Sequence, residues 1–501
     1  MNENFINNFW KINDKTILGL LFSAAKENPQ KIYCKTHNET ITYSDLIQSA
    51  LSVSLDLNNL PKDQPVAILL PNSALFLIAY FAVLISGRSP ALLNYLLPET
   101  GLQKMLNKLD PSIVISNKEV INFKNIIINK DRVKTHTEEI NLKKLIDHTS
   151  ENDTAAIMFS GGTTGLPKQI NHTNKCLIKM VERMEWGWPT KNDEKWLLVA
   201  PFTHIYGFLT GVTNPLLRAG EIIIPETFRP DIIINLLVDE QISIFGGGPP
   251  AIYQALLSDP DLEAKKMPYL RVCPGGGAPF PLNVHENWKR VTGLTIHEGY
   301  GMTEIAPISV NTEKEGVKLG SAGKPAPDTI IQIVDIEKGE NILSSGELGE
   351  IRIKGPHMMT EYDGNPEETA LTIKNGFIHT GDIGLIDNEG FLRITDRKKD
   401  VIFVKGFNVF PREVEEELLS HSSISGACVV GKQDDRSGET PIAFVTLRRH
   451  IEVSEIKDYC DKTLLPYKVP SEFIILDQLP LTPAKKVDRL ALKKKLSSSI
   501  K

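Results

Sequence analysis

The sequence predicts an α/β protein with a large multi-layer N-terminal domain that includes a β-rich subdomain, and a small α+β domain at the C-terminus. Short aliphatic runs alternate with helix-length segments between Val66 and Ile224, as in layered α/β folds. After about Gly320, short strand-like runs separate Gly- and Asn-rich turns, and a third pattern begins at Lys399. We therefore expect domains at residues 1–398 and 399–501, with the β-rich subdomain at about 320–398.

The apolar pattern predicts the elements of each part in turn. The run at 74–85 predicts a buried helix, because a membrane-spanning helix needs ~20 apolar residues. Strands in the two parts of the large domain are expected at 66–70, 113–115, 196–199, 330–334, 349–353 and 391–394. The small domain is expected to hold strands at 401–404, 427–430 and 442–447 and helices at 411–420 and 452–463.

The composition excludes several classes of protein. A net charge of −6 gives no reason to expect a nucleic acid partner. The five cysteines are widely scattered, with no CxxC pair, which argues against a disulfide framework and a structural zinc site. The polar stretch 1–8 lacks the basic and then apolar order of a secretory signal, so we expect a cytoplasmic protein without a membrane span.

The segment 160–168 predicts a phosphate-binding loop directly after an apolar strand at 155–159. Its glycines allow close approach of the backbone to an anion, its N–H groups can form a positive nest, and two threonines and Lys168 add donors. The common P-loop pattern does not fit, because Pro167 and Gln169 flank the lysine. Taken alone, the segment could also be a surface loop without a ligand.

Further motifs follow in order at 299–304, 379–382, 396–399, 405–406 and 480–486. With them the chain resembles the adenylate-forming superfamily, which includes acyl-CoA synthetases, firefly luciferase and peptide-synthetase adenylation domains. The resemblance extends from Ile41 to Arg489 and implies a two-step reaction. A carboxylate and ATP give an acyl adenylate and pyrophosphate, and a thiol then displaces AMP.

The resemblance assigns nucleotide contacts to matching residues. Those expected to bind ATP are Thr163, Thr164 and Gly165 with Lys168 at the phosphates, Gly277, Ala278, Pro279 and Tyr300 at adenine, Thr303 at phosphate, Asp382 at the ribose, and Arg397 at the ribose or a phosphate. Glu304 matches the carboxylate that holds Mg²⁺, and one acid suffices for a metal bound to polyphosphate. Gly161 and Gln169 depart from the family pattern, which has Ser or Thr and glycine at these positions. Asp382 and Arg397 could instead belong to surface ion pairs.

Four further residues match the chemical step and the domain movement of the family. Lys486 matches the mobile lysine that bridges carboxylate and α-phosphate, although Lys485 leaves a one-residue ambiguity. Lys399 occupies the hinge position, about which the small domain is expected to rotate, and Gly406 the thiol channel. His204 lies in the acyl-pocket motif, with a gating or carboxylate-side role expected and a structural role as the alternative.

The function expected from the resemblance is an ATP-dependent acid–CoA ligase that acts on a fatty acid, with ATP, Mg²⁺ and CoA as cofactors. No aspartate for a substrate ammonium lies in the acyl motif at 201–208, which favours an acid without an α-amino group. The alternatives are an aryl acid substrate, an acyl-AMP ligase that loads an acyl carrier protein, a luciferase-like oxygenase and an adenylate-binding protein. A homodimer is a further expectation. The run 246–251 nearly fits a dinucleotide motif, but its prolines lack the N–H donors such a site needs.

Overall fold

The computed structural model describes residues 14–129, 149–160, 167–405, 407–434, 436–481 and 487–498. The chain forms two compact units, each described by itself below. Unit one contains residues 1–330 and 354–376, and unit two contains residues 331–353 and 377–501.

The helices of the described residues are α1 Ile17–Glu27, α2 Tyr43–Leu55, α3 Ala74–Ile85, α4 Glu99–Leu109, α5 Asn174–Gly187, α6 Ile205–Phe208, α7 Pro230–Asp239, α8 Pro250–Leu257, α9 Asp261–Ala264, α10 Leu282–Thr292, α11 Pro366–Thr372, α12 Pro411–Ser420, α13 Val453–Thr463 and α14 Arg489–Ser498. Side-chain caps begin several of them. Thr42 and Asp45 form a capping box at the start of α2, and Ser73 accepts a hydrogen bond from the Phe76 amide at the start of α3.

The strands are β1 Ile32–Lys35, β2 Thr40–Thr42, β3 Val66–Leu69, β4 Pro90–Leu92, β5 Ile113–Ser116, β6 Asn125–Ile127, β7 Thr154–Ser160, β8 Lys168–Thr173, β9 Lys195–Leu198, β10 Glu221–Ile223, β11 Ile244–Gly246, β12 Cys273–Gly276, β13 Ile296–Met302, β14 Ile305–Val310, β15 Lys324–Pro325, β16 Ile330–Val334, β17 Gly349–Lys354, β18 Ile373–Lys374, β19 Phe377–Ile386, β20 Leu392–Arg397, β21 Ile402–Val404, β22 Phe407–Val409, β23 Ile424–Asp434, β24 Gly438–Leu447 and β25 Glu472–Ile475.

The described residues of unit one form three sheets. Their strand orders are β6-β5-β3-β4-β7-β8, β11-β9-β10-β1-β2 and β12-β13-β14-β15. Neighbouring strands from β6 to β7 run parallel, and β8 returns antiparallel to β7. Every residue of β3 is buried, and α3 is buried over most of its length, because helices cover parallel sheets on both faces. The predicted strands and the predicted buried helix at 74–85 are confirmed.

Unit two joins a β-rich part to a small α+β part. The β-rich part pairs β19 with β17 and β20, and the α+β part has the strand order β22-β21-β24-β23 with β25 beside β24. Helices α12 and α13 contribute Val414, Leu418 and Ile456 to a core with the inner faces of the strands. The helix predicted at 411–420 is confirmed, and the one predicted at 452–463 begins at Val453.

Contacts between β20 and α12 explain why the β-rich part belongs to unit two. The Asp396 carboxylate accepts a hydrogen bond from the Arg412 amide at 2.8 Å, and the Arg412 guanidinium donates to the Ile394 carbonyl at 2.7 Å. Asp396 thereby satisfies a free N–H group in the first turn of α12. The expected division at 398/399 put the whole of 320–398 in the large domain. The compact units instead group 331–353 and 377–398 with the C-terminal residues. The boundary between 398 and 399 stays a prediction.

All five cysteines are free thiols, and four of them are buried. In the part of the chain that the structure describes, no three His, Cys, Asp or Glu side chains gather in a group suited to a metal ion. Within the same residues, no helix combines the length and the apolar composition that crossing a membrane requires.

Candidate functional site

The turn between β13 and β14 carries two of the predicted site residues. Met302 pairs with Ile305 across the hairpin, so Thr303 and Glu304 form the two-residue turn at its tip. Glu304 is nevertheless 5% exposed, because residues 354–376 of the same unit pack against this tip. An ionised carboxylate at such depth needs hydrogen-bond partners or a cation.

Tyr362 supplies the main side-chain contact of Glu304. Its hydroxyl donates a hydrogen bond of 2.6 Å to Oε1 of the carboxylate, and the Met359 amide donates to the Glu304 carbonyl at 2.8 Å. Burial and the Glu304 charge beside it both raise the pKa of Tyr362 well above its usual value. The hydroxyl therefore stays protonated and acts as the donor of this bond.

Lys168 lies over the Tyr362 ring. Its Nζ is 4.6 Å from the ring centroid and forms an ion pair with Glu368. Ammonium groups at this distance are attracted to the negative face of an aromatic ring. The structure thus brings Lys168 and Glu304, both predicted to serve the polyphosphate, into contact with one tyrosine side chain, Lys168 at the ring and Glu304 at the hydroxyl.

The predicted phosphate loop joins β7 to β8. Ser160 pairs with Lys168 across this antiparallel hairpin, so the strand predicted before the loop is confirmed. Residues 161–166, which include Thr163, Thr164 and Gly165, lie outside the described residues. Their phosphate contacts stay predictions.

The predicted adenine-side residues meet at one edge of the third sheet. Strands β12 and β13 run parallel with Gly276 opposite Gly299, so the loop Gly277, Ala278 and Pro279 leaves the sheet beside Tyr300. Gly277 has a φ of +78°, and a Cβ atom at Gly276 would lie 2.7 Å from the Gly299 carbonyl oxygen. This backbone geometry requires glycine at both positions.

The acyl-pocket motif lies against the same sheet. His204 is exposed and caps the short helix α6, with its Nδ1 accepting a hydrogen bond of 3.3 Å from the Tyr206 amide. The Tyr206 hydroxyl donates to the Pro274 carbonyl in β12 at 3.4 Å. The capping contact is the structural role considered for His204, and its exposure leaves the ring accessible to a substrate.

In unit two, β19 and β20 place Asp382 directly opposite Arg397. The Arg397 Nε lies 3.3 Å from Oδ1 of Asp382, whose side chain is buried, whereas the arginine side chain is 58% exposed. The Asp382 amide donates to the Thr380 hydroxyl at 3.0 Å, a contact within β19. Asp382 and Arg397 therefore do form an ion pair, the alternative considered for both.

Lys399 lies in a short 3₁₀ turn, Lys398–Asp400, after β20. The preceding Lys398 donates to the buried Glu350 of β17 at 2.9 Å, which anchors the turn to the β-rich part. Gly406 and Lys486 lie outside the described residues. Leu481 and Val487 form an antiparallel bridge on either side of 482–486.

Most of the chain matches one known family of enzymes. Residues 21–363 match the family of AMP-binding enzymes, and residues 413–486 match the C-terminal domain of AMP-binding enzymes. The chain belongs to this family.

Known members of the family are similar to this AMP-binding enzyme over nearly its whole length. It is 33% identical to a long-chain-fatty-acid–CoA ligase of Bacillus subtilis (strain 168), over 96% of the chain and 94% of the relative. It is 30% identical to a 2-succinylbenzoate–CoA ligase of the same organism, over 94% and 97%. The o-succinylbenzoate coenzyme A synthetase of Bacillus subtilis, solved with ATP and magnesium ion, has a TM-score of 0.81 at 27% identity, over 95% and 99%. The predicted superfamily and fold class are confirmed.

The hairpin tip of the AMP-binding enzyme suits a magnesium ion. Within the described residues, the Tyr362 hydroxyl donates to Oε1 of the Glu304 carboxylate, and Oε2 accepts no hydrogen bond there. Oε2 is therefore left as an oxygen ligand for the metal. Magnesium prefers oxygen ligands and is commonly bound by one or two carboxylates together with phosphates and water. The donor set therefore fits Mg²⁺ carried by a nucleotide.

Sequence reasoning about the AMP-binding enzyme missed Tyr362 and Glu368. Both lie in residues 361–368, whose Gly, Asn and Pro residues read as an ordinary turn before a short helix. Tyr362 contacts a residue 58 positions away and Glu368 one 200 positions away. No local pattern signals contacts at such separations.

Proposed function

We propose that this chain is an ATP-dependent acid–CoA ligase that activates a fatty acid as its acyl adenylate and transfers the acyl group to the CoA thiol. The similarity to a long-chain-fatty-acid–CoA ligase, at 33% identity over 96% of the chain, carries the proposal. The absence of an aspartate from the acyl motif at 201–208 supports an acid without an α-amino group.

The charge arrangement of unit one supports the adenylation step. A carboxylate substrate and a polyphosphate repel each other, so preorganised cations and donors lower the barrier where negative charge develops. Lys168 and the Thr163–Gly165 loop would contact the β- and γ-phosphates, with Thr303 as a further contact. Glu304 would hold Mg²⁺, which supplies further positive charge at the phosphates. Lys486 would bridge the substrate carboxylate and the α-phosphate.

The remaining predicted residues would orient the nucleoside and the acyl group. Asp382 would accept hydrogen bonds from the ribose hydroxyls, with Arg397 beside it. Tyr300 and the Gly277–Pro279 loop would hold the adenine, because the register of β12 and β13 makes them neighbours. His204, exposed at the start of α6, would face the substrate carboxylate.

For the second step we propose that the small domain rotates about Lys399 and that the segment around Gly406 lines the thiol channel. The similarity to CoA ligases favours free CoA over an acyl carrier protein as acceptor. A cytoplasmic location and a homodimer remain predictions.

An aryl acid is the second candidate substrate. The 30% identity to a 2-succinylbenzoate–CoA ligase, over 94% of the chain, favours it. A luciferase-like oxygenase and a binding protein without turnover are the candidates of other classes.

Pyrophosphate exchange with a panel of acids tests the proposal. The panel contains octanoate, hexadecanoate, 2-succinylbenzoate and 4-coumarate, each with ATP and Mg²⁺, followed by assays with CoA and with a phosphopantetheinylated carrier protein. We expect exchange to be fastest with a fatty acid, AMP as the nucleotide product, and CoA as the acylated thiol. ADP as product would contradict adenylation, fastest exchange with an aryl acid would contradict the substrate, and adenylation without transfer to either thiol would contradict the ligase.

A further inference from the structure

Residues 359–368, here called the strap, cross the hairpin tip and the start of β8 within unit one. The Met359 amide bonds the Glu304 carbonyl at 2.8 Å, and the Asp363 amide bonds the Gln169 carbonyl at 2.9 Å. Glu368, at the far end of the strap, forms an ion pair with Lys168. The strap is thus attached to both segments that are proposed to serve the polyphosphate.

A further attachment of the strap depends on a departure from the family pattern. The Gln169 side-chain amide donates to Oδ2 of Asp363 at 2.8 Å and to Oδ1 of Asn171 at 3.1 Å. A glycine, as the family has here, would offer neither contact. The side chain is buried, and buried polar groups of this kind hold their neighbours in one geometry. In this chain the strap therefore has a side-chain anchor directly beside Lys168.

Tyr362 is the strap residue that contacts both Glu304 and Lys168. Its side chain is 3% exposed, its hydroxyl lies 2.6 Å from Oε1 of Glu304, and its ring lies 4.6 Å from Nζ of Lys168. A hydroxyl bonded to one carboxylate oxygen restricts rotation of the carboxylate. The other oxygen, Oε2, is then held in a fixed direction.

The donor is neutral, which preserves the negative charge of the acid. An arginine or lysine at this place would neutralise Glu304 and weaken its attraction for a cation. A hydrogen bond to an ionised acceptor is short and strong, and partners that orient a metal ligand typically change metal affinity by 10- to 100-fold when removed.

We propose that Tyr362 is a positioning residue for the metal: its hydroxyl fixes the Glu304 carboxylate so that Oε2 binds the Mg²⁺ of MgATP. This inference rests on the proposed function, because it takes Glu304 as the metal-binding acid. It adds a residue that does not touch the metal and acts through Glu304.

Binding of Mn²⁺ in the presence of α,β-methylene-ATP tests the proposal without turnover. Free Mn²⁺ is measured by electron paramagnetic resonance for the full-length wild type and for Tyr362→Phe, which keeps the ring and its contact with Lys168. We expect the Mn²⁺ dissociation constant to rise about 10-fold in Tyr362→Phe. Binding of the nucleotide without metal should change less than about 2-fold. The matched control is Tyr43→Phe, which also removes a buried hydroxyl bond, of 2.8 Å to the Gly220 carbonyl, away from the hairpin tip.

The variants Glu304→Gln and Glu304→Gln/Tyr362→Phe complete the test. If Tyr362 acts through Glu304, the second substitution adds no further loss of Mn²⁺ affinity in the Glu304→Gln background. Three results would overturn the inference. The first is an unchanged Mn²⁺ affinity in Tyr362→Phe, and the second is an equal weakening of nucleotide binding without metal. The third is the same loss of Mn²⁺ affinity when Tyr362→Phe is introduced into wild type and into Glu304→Gln. In each of these cases the pyrophosphate exchange of the wild type still decides the proposed function. If wild type with bound nucleotide retains no Mn²⁺, both the role of Glu304 and the inference are wrong.

Discussion

The hairpin tip of unit one and the strand pair β19–β20 of unit two each present one buried acid, but the two acids have different partners. Glu304 receives a hydrogen bond from the neutral Tyr362 hydroxyl, whereas Asp382 lies 3.3 Å from the Arg397 guanidinium. The first arrangement keeps a net negative charge, and the second is neutral as a pair. A buried charge without an opposite charge favours a cation as its ligand.

This difference matches the ligands proposed for the two sites. Magnesium is a hard cation that is usually bound through one or two carboxylates together with phosphates and water. A ribose diol is neutral and requires an acceptor in a fixed position, which an acid in an ion pair provides. If both proposals hold, the partner residue, and not the acid itself, distinguishes the metal site from the sugar site.

Removal of the charge at the hairpin tip should have the largest effect. Glu304→Gln keeps the shape of the side chain and removes the charge, so we expect Mg²⁺-dependent pyrophosphate exchange to fall by about 10³-fold, equivalent to about 4 kcal/mol. Glu286→Gln, a substitution of an exposed acid on α10, is the control and should leave the rate unchanged. A loss of less than 10-fold would contradict the role of Glu304 as the metal-binding acid.

At the strand pair, the expected loss is smaller and depends on the sugar. Asp382→Asn should lower kcat/KM for ATP by about 30-fold, or about 2 kcal/mol, because hydrogen bonds to a charged acceptor are lost. With 2′,3′-dideoxy-ATP, wild type and variant should differ less than about 3-fold, since no diol is present. Equal losses with both nucleotides would mean that Asp382 acts on the fold or on the phosphates, and the comparison of the two acids would fail.

The fold could be predicted from the sequence largely because its strands and helices have strong local patterns. The helices Ala74–Ile85 and Pro411–Ser420 both have the predicted bounds. Glu304 and Asp382 were identified by their motifs, and their roles stay predictions. Tyr362 was not found, because its contact with Glu304 depends on how distant segments pack.

The pairing of Asp382 with Arg397 shows a second limit of prediction from sequence, the register of paired strands. Counting back from the pair Ile386 and Leu392 in a regular hairpin would place Asp396 opposite Asp382, and two like charges would meet. The register shifts between Ile383 and Gly384, and this irregularity brings Arg397 opposite Asp382 instead. Hydrophobic periodicity gives no signal for such a one-residue shift.

The smallest expected effect separates ligand binding from stability at the strand pair. The Arg397 side chain is 58% exposed, and exposed ion pairs contribute about 1 kcal/mol or less. Arg397→Gln should therefore lower the free energy of unfolding by at most about 1 kcal/mol, measured by urea denaturation of the whole chain, and by less in 1 M NaCl because salt screens the pair.

Arg489→Gln is the matched comparison within unit two. Arg489 lies 2.7 Å from Oε1 of Glu415, donates a hydrogen bond of 2.8 Å to Oε2, and also bonds the Val429 carbonyl, in a more buried setting. Its loss leaves Glu415 without its charge partner, so we expect a cost of about 3 kcal/mol. If Arg397→Gln costs as much as Arg489→Gln, the Asp382–Arg397 pair stabilises the fold of unit two. The neutral charge of the pair would then be explained by its contribution to the stability of the fold. The contrast between Asp382 and Glu304 would no longer indicate that the two acids bind different ligands.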